Sequence, residues 1–317
     1  NGFIKIMLAK KNILIIGGNG FLGQGILKAL NLQTYNVSIL DIFLDKKNLK
    51  NYKIQHYFKC STLEKNKMRK ALKEEEWDYI IHLAAFGGNG NGLLKAANED
   101  FNKALNINVT GFANLLDNLK SKNTKIIWAS STVVFGEEST YLQESVKETS
   151  ILNPSTKYGL TKVMAEQVAN YYIKNYKMDI SAIRFPIIIG PGLNYRGVAA
   201  GISDMANAIS QPNIKYKISL PSTPLDVIYI KDASEIVINM IDSKIKLKNI
   251  YNCASIRTDA LKLLNEFNKF YKNKNLLITE NIGTTYPIMN WQRLEKDTNF
   301  KIKYSIKKLV KDWLSQI

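Results

Sequence analysis

Short apolar runs alternate with longer amphipathic stretches through the first two thirds of the chain. Asn12 to Ile16, Val37 to Leu40, Tyr79 to Leu83, Ile126 to Ala129 and Ile180 to Ile189 read as buried strands. Between them lie helical segments at Phe21 to Leu30, about Lys65 to Glu75, Ala104 to Ser121 and Tyr158 to Tyr176. In the third of these, Leu105, Val109, Phe112, Leu116 and Leu119 recur at three- and four-residue spacing, which places them on one helical face. Strand alternating with helix predicts a parallel sheet covered on both faces, a doubly wound α/β fold of Rossmann type. From Gly190 the rhythm loosens, with glycines and prolines at 192, 197, 201, 212, 221 and 224 marking loops. A strand at Val227 to Ile230, a helix at Ala233 to Ile241 and a final amphipathic helix at Ile306 to Leu314 are predicted beyond it. The expected organisation is a dinucleotide-binding domain over 7–186, with 225–241 returning to it, and a smaller mixed α/β substrate-binding region over 187–317. Asn1 to Ile6, ahead of Met7, read as a remnant outside the fold.

Composition narrows the class. A chain of 317 residues that is 45% hydrophobic and 22% charged has material for a sizeable core. It has no apolar run long enough for a membrane span and no secretory signal pattern, which predicts a cytoplasmic protein. Cys60 and Cys253 have no neighbouring metal-type residues, so neither a disulfide framework nor a metal site is expected. The formal charge of +17 is spread along the chain without a dense basic block. That pattern favours an anionic small substrate over nucleic acid.

Two local patterns carry chemistry. The run Ile13 to Ile16 leads into GGNGFLG at 17 to 23 and then a helix. Gly17, Gly20 and Gly23 permit a tight turn, close approach of backbone to a pyrophosphate, and helix packing on the strand. Amides at the helix start then face the phosphates. Asp41 ends the next strand about eighteen residues later, where a carboxylate accepts from the adenosine ribose hydroxyls and repels a 2′-phosphate. No Arg lies beside Asp41, although Lys46 and Lys47 follow, so NAD is expected over NADP. The second pattern is Tyr158 and Lys162, four apart on one helix face. A tyrosine is a poor base at neutral pH, since it titrates near ~10; an adjacent ammonium and a nicotinamide cation would favour tyrosinate, at about 4 kcal/mol of differential stabilisation. Ser130, Ser131 and Thr132 end the strand at 126–129, where a hydroxyl can meet the reacting oxygen.

GGNGFLG, Asp41, HLAA at 82–85, INVTG at 107–111, SSTVVFG at 130–136, YGLTK at 158–162 and RFPIIIGPG at 184–192 occur in this order. Together they resemble the extended short-chain dehydrogenase/reductase family, its NAD-dependent sugar epimerase/dehydratase group. The resemblance implies Tyr158 as acid/base, Lys162 as its activator and ribose ligand, and Ser131 as the partner of the substrate oxygen, with Thr132 and Arg196 on the substrate side. It implies cofactor contacts at Gly17, Gly20, Phe21, Leu22, Gly23, Asp41, Ile42, Ser61, Thr62, Leu83, Ala84, Ala85, Pro186 and Ile189, and Asn108 as a helix residue ordering the site. It also implies a homodimer through Ala104 to Ser121 and Tyr158 to Tyr176. Several positions depart from the family pattern. Ser61 replaces an Asp near the adenine, Thr132 and Val133 replace the Asp-Glu pair of 4,6-dehydratases, Ile187 replaces an Asn, Leu225 replaces a diphosphate-binding Arg, and 281–287 has no Arg. Arg196, Lys215, Arg257 and Arg293 remain as candidate anion ligands. The expected activity is oxidation or epimerisation at a hydroxyl, C4 above all, of a nucleotide-activated sugar. A dehydrogenase of a small hydroxy acid or amino acid is the alternative, and a cofactor-holding regulatory protein a third reading.

Overall fold

A computed structural model describes residues 9–45, 49–88, 90–194, 200–211, 213–270 and 276–316. Strand β1 (Lys11–Ile16) passes through the glycine turn into helix α1 (Phe21–Ala29), and β2 (Tyr35–Asp41) returns beside β1. Next come β3 (Ile54–Lys59), α2 (Lys65–Glu74) and β4 (Tyr79–His82). Helices α3 (Leu93–Glu99) and α4 (Phe101–Leu105) lead through a π-helical turn, Asn106–Thr110, into α5 (Gly111–Leu119). Strand β5 (Lys125–Ser131), the long helix α6 (Lys157–Tyr176) and β6 (Asp179–Phe185) complete the first part.

These strands, with a later one, form a seven-stranded parallel sheet in the order β3-β2-β1-β4-β5-β6 and then β10 (Ile250–Asn252). The period-two alternation of a strand decides which layer each side chain meets. Ile13 and Ile15 pack with Ile26 and Leu27 of α1 on one face, while Leu14 and Ile16 pack with Met68, Phe112 and Leu116 on the other. Strands apolar on both faces are what a sheet buried between two helix layers requires.

Four sequence expectations change. Strand β3 was not predicted: its residues IQHYFK sit half-buried at the sheet edge and mix polar with aromatic side chains, so no apolar run marks it. The helix predicted over Ala104 to Ser121 is interrupted by the π-helical turn. The strand predicted over Ile180 to Ile189 breaks at Pro186, which has no amide to donate to a ladder. Its second part, β7 (Ile187–Ile189), leaves the main sheet for a three-stranded one with β9 (Leu225–Tyr229) and β11 (Ile256–Thr258). Segment 225–241 is divided: β9 pairs in that smaller sheet and not in the main one, whereas α8 (Ile230–Asp242) lies against α1, with Gly25 facing Ser234 and Ile230.

The smaller region adds α7 (Ala200–Ser210), α9 (Ala260–Asn268), α11 (Ile306–Leu314) and a parallel pair of β8 (Tyr216–Pro221) with β12 (Leu276–Asn281), whereas α10 (Gln292–Thr298) returns to the large part, its Leu294 lying in the core that holds Ile15 and Ile26. Ile202, Met205, Ile209, Val227, Leu263, Phe267 and Trp313 form its own core. None of the described helices is long and apolar enough to cross a membrane.

Candidate active site

The carboxyl ends of β1, β2, β4, β5 and β6 share one edge of the sheet, and the strand order reverses between β1 and β4. Open parallel sheets bind ligands at such an edge. The loop after β1 folds tightly there. Gly17 has φ +83°, its amide donates to the Leu40 carbonyl at 2.8 Å, and a Cβ on it would stand 2.8 Å from the Ala84 amide nitrogen. A Cβ on Gly23 would stand 2.6 Å from the Gly18 carbonyl oxygen. Gly20 precedes α1 without any side-chain cap, and the first turn carries no acid. The amides of Phe21, Leu22 and Gly23 therefore begin a helix whose positive end is left for an outside anion.

Asp41 closes β2 beside this bend. One carboxylate oxygen accepts from the Asn19 amide at 3.0 Å and the other from the Phe43 amide at 3.2 Å. Burial raises its pKa, opposed by these amides and that of Ile42. Ile42 itself is 67% exposed. Leu83, Ala84 and Ala85 leave β4 half-buried alongside the bend, the Leu83 amide donating to Ile16 at 2.8 Å. Ser61 turns its polar groups inward to the chain: its amide donates to Glu64 at 2.8 Å and its hydroxyl accepts from Leu63 at 3.2 Å. Thr62 is buried, with its carbonyl accepting from Asn114.

Helix α6 starts under a Thr156 cap, whose hydroxyl accepts from the Gly159 amide at 3.0 Å. Its first turns carry Tyr158 and Lys162, both about 4% exposed. Lys162 Nζ donates to the Ala129 carbonyl at 2.7 Å and stands 5.6 Å from the Tyr158 ring centre and 5.5 Å from that of Trp128. Burial pushes its pKa down to about 8, with Glu166 opposing. The nearby His82 is pushed down to about 3 by burial and by Lys162, so it stays neutral. Ser131 is half-buried at the end of β5 and accepts from the Val133 amide. Thr132 is buried, and its hydroxyl has no hydrogen-bond partner.

Asn108 sits inside the π-helical turn and ties these parts together. Its Oδ1 accepts from the Phe86 amide at 2.8 Å, its Nδ2 donates to the Thr161 hydroxyl at 2.9 Å, and that hydroxyl donates to the Tyr158 carbonyl at 2.7 Å. The loop after β4 and the tyrosine helix are thus fixed to one side chain.

One residue that no sequence motif marks joins this cluster from the far end of the chain. Tyr286 packs against the cluster that holds Tyr158 and Val133, and its buried hydroxyl has no partner. Segment 285–290 is held across the large part by Glu138 N to Thr285 O at 2.9 Å, Val146 N to Ile288 O and Asn290 N to Val146 O, both at 2.8 Å. A tyrosine beside a proline, far from any motif, gives no sequence signal of this position. The candidate anion ligands do not converge. Arg257 is committed to Asp226 and Glu138, each at 2.6 Å, and donates to the Tyr286 carbonyl. Arg293 donates to the Ile250 carbonyl and faces Glu148 at 3.6 Å. Lys215 is exposed ahead of β8. Arg196, Lys46 and Lys47 lie outside the described residues. Pro186 and Ile189 are buried on either side of the switch from β6 to β7. No group of His, Cys, Asp or Glu among the described residues could hold a metal ion.

Residues 13–254 match the model of the NAD dependent epimerase/dehydratase family. The chain belongs to that family. Its cofactor is NAD, and the bend fits it: Gly17 and Gly23 leave no room for a side chain, the start of α1 lacks a cap, and the Asp41 carboxylate is held beside the bend on the Asn19 amide. An uncharacterized epimerase/dehydratase of Staphylococcus aureus is 25% identical over 221 residues, 67% of this chain and 65% of that protein. The chain thus spans about two thirds of its length. Among solved structures, the L-threonine dehydrogenase of Clostridium difficile superposes with a TM-score of 0.81 at 24% identity, covering 97% of each chain. UDP-glucose 4-epimerase of Thermotoga maritima gives 0.81 at 18% identity, covering 96% of this chain and 97% of that one. These two likenesses establish the extended short-chain dehydrogenase/reductase fold.

Proposed function

We propose that this protein oxidises or epimerises a secondary hydroxyl, C4 of a nucleotide-activated sugar, with Tyr158 taking the hydroxyl proton. The observation that carries this reading is the buried Tyr158–Lys162 pair at the same sheet edge as the uncapped glycine bend. Lys162, held on the Ala129 carbonyl, supplies the positive charge that favours tyrosinate and reaches the nicotinamide ribose. Ser131 meets the reacting oxygen, and Thr132 offers the substrate a hydroxyl that has no other partner. NAD, when bound, supplies the hydride acceptor. Gly17, Gly20, Phe21, Leu22 and Gly23 hold its phosphates, Asp41 and Ile42 its adenosine ribose, Ser61 and Thr62 its adenine, and Leu83 to Ala85, Asn108, Pro186 and Ile189 border the rest.

A second reading, a dehydrogenase of a small hydroxy acid or amino acid, is favoured by one observation. Arg184, Arg257 and Arg293 all contact carboxylates, and Leu225 is buried, so these positions offer no free guanidinium to a diphosphate. Incubation of the purified chain and NAD with panels of nucleotide sugars and small hydroxy acids separates the two. Product mass, chirality and NADH absorbance are read together. A changed nucleotide sugar supports the first reading, and NADH formation from an acid alone supports the second. Absence of NAD binding by calorimetry, or full turnover by Tyr158→Phe, refutes both. A homodimer through α5 and α6 accompanies the proposal, supported by exposed Leu160, Met164, Tyr171 and Tyr176 on α6. Sedimentation at a monomer's mass would refute it.

A further inference from the structure

Helix α6 carries a third buried charge behind Lys162. Residues 158, 162 and 166 are spaced one turn apart, so Tyr158, Lys162 and Glu166 share one stripe of the helix, and each is about 4% exposed. The Glu166 carboxylate is enclosed on both oxygens. Arg184 of β6 donates from Nε to Oε1 at 2.9 Å and from Nη2 to Oε2 at 2.7 Å, and the Ser130 hydroxyl donates to Oε1 at 2.7 Å. Arg184 also donates to the Glu148 carbonyl at 3.2 Å and stacks 4.7 Å over Phe135, which leaves it little freedom.

The strand below is gripped at consecutive residues. Ala129 accepts from Lys162, Ser130 donates to Glu166, and Ser131 follows at the site. In the register between β5 and β6, Ser130 faces Arg184 and Ser131 faces Phe185. The carboxylate therefore fixes the height of α6 against the strand end that carries Ser131. It also places a negative charge one turn from a buried ammonium whose hydration has been lost, and a buried charge needs such compensation.

We infer that Glu166 is a positioning residue that keeps Lys162 protonated and aligned between Tyr158 and the end of β5. The inference rests on the proton-transfer role proposed for that pair. The other groups facing Lys162 do not substitute for Glu166. Tyr158 presents its ring to the ammonium, His82 on β4 is neutral, Trp128 on β5 offers only its ring face, and the Arg184 guanidinium on β6 is itself a cation held on Glu166. Glu166 is accordingly the group that opposes the loss of the Lys162 proton.

The test is a titration of Lys162 in the full chain, grown with lysine labelled with carbon-13 at the ε position and followed by NMR. A Lys162→Met sample identifies the signal. The expected wild-type midpoint is about 8. In Glu166→Gln, which retains an acceptor for Ser130 and Arg184, the midpoint falls by about one pH unit. Glu166→Asp restores it towards the wild-type value. Should Glu166→Gln fail to fold, the double variant Glu166→Met with Arg184→Met carries the test, because removing both members of a buried pair is far better tolerated than removing one. Its midpoint also falls, by less, since the repelling guanidinium has gone. An unmoved Lys162 midpoint in either folded variant overturns the role of Glu166. Failure of the wild-type chain to bind NAD or turn over any substrate would instead refute the catalytic proposal, and this titration reads independently of it.

Discussion

Replacing Gly17 by alanine tests the closeness of the glycine bend to the strand beside it. Two costs arise. The residue sits at φ +83°, where a side chain costs about 1–2 kcal/mol. The added Cβ also lies 2.8 Å from the Ala84 amide nitrogen and 3.1 Å from both the Ala84 Cα and the Leu83 carbonyl carbon. All three are backbone atoms, and the Leu83 amide is tied to Ile16, so the neighbour cannot rotate away. Overpacking of this kind costs about 1–3 kcal/mol more. Gly192 provides the control: its φ is +88°, yet nothing lies within 4 Å of a Cβ built on it. Gly192→Ala should therefore lose only the backbone share of stability and leave NAD affinity unchanged. Gly17→Ala should lose more stability and at least about tenfold in NAD affinity, roughly 1.4 kcal/mol, because Ala84 and the bend can separate only by deforming the cofactor bed. Thermal unfolding and calorimetric titration with NAD measure both. Equal NAD affinity in the two variants would refute the argument.

Removing the Asp41 carboxylate with Asp41→Ala should narrow the preference for NAD over NADP by about tenfold or more, read from paired binding titrations; an unchanged ratio would assign the discrimination elsewhere. Folded Lys162 releases its proton near pH 8 and the unfolded chain near 10.5, so between these values the unfolded state binds more protons and stability rises with pH. The gain is about 3 kcal/mol across that window, and below pH 8 the burial penalty is present in full. Denaturant unfolding at about pH 8 and pH 10 should show about 2 kcal/mol of this gain in the wild type and a smaller increment in Lys162→Met, and equal increments would contradict it. Asn108→Ala leaves the part-buried Phe86 amide without its acceptor and the Thr161 hydroxyl with only the Tyr158 carbonyl, which should cost about 1–3 kcal/mol and release the loop after β4 to faster amide exchange. Unchanged exchange at Phe86 would show that Asn108 does not hold it.

Legibility followed burial. Strands β1, β2, β4 and β5 are enclosed on both faces, so they read as apolar runs, and the glycine bend and the Tyr158–Lys162 spacing are complete within short stretches of chain. Strand β3 lies at an edge where half-burial suffices, and His56 and Gln55 dilute its pattern. The π-helical turn is hidden because the apolar spacing of Leu105, Val109 and Phe112 tolerates one additional residue per turn. Its effect appears only in the placement of Asn108 between two other segments. The break at Pro186 was visible as a residue but not as a change of sheet, since that depends on where β9 lies. Arg257 shows the same limit more sharply. As a lone arginine it suggested an anion ligand, and only its approach to Asp226 and to Glu138, more than a hundred residues away, reveals that its charge is already met.

That division has a physical origin in the parallel sheet. Every strand of such a sheet ends on the same edge, so residues just past β1, β2, β4 and β5 are brought together whatever the helices between them contain. Cofactor and proton-transfer groups can therefore be specified by local motifs. The opposite wall of the cleft has no such rule. Tyr286 reaches Tyr158 only because the 285–290 segment is bonded to Glu138 and Val146, and because Arg257 binds its carbonyl while joining Glu138 to Asp226. The placement of Tyr286 beside Tyr158 thus depends on pairings among four distant stretches of chain. Under the proposed function, exchanging the strap that carries Tyr286 should change which alcohol is accepted, read from a substrate panel, while leaving proton transfer by Tyr158 and Lys162 in place.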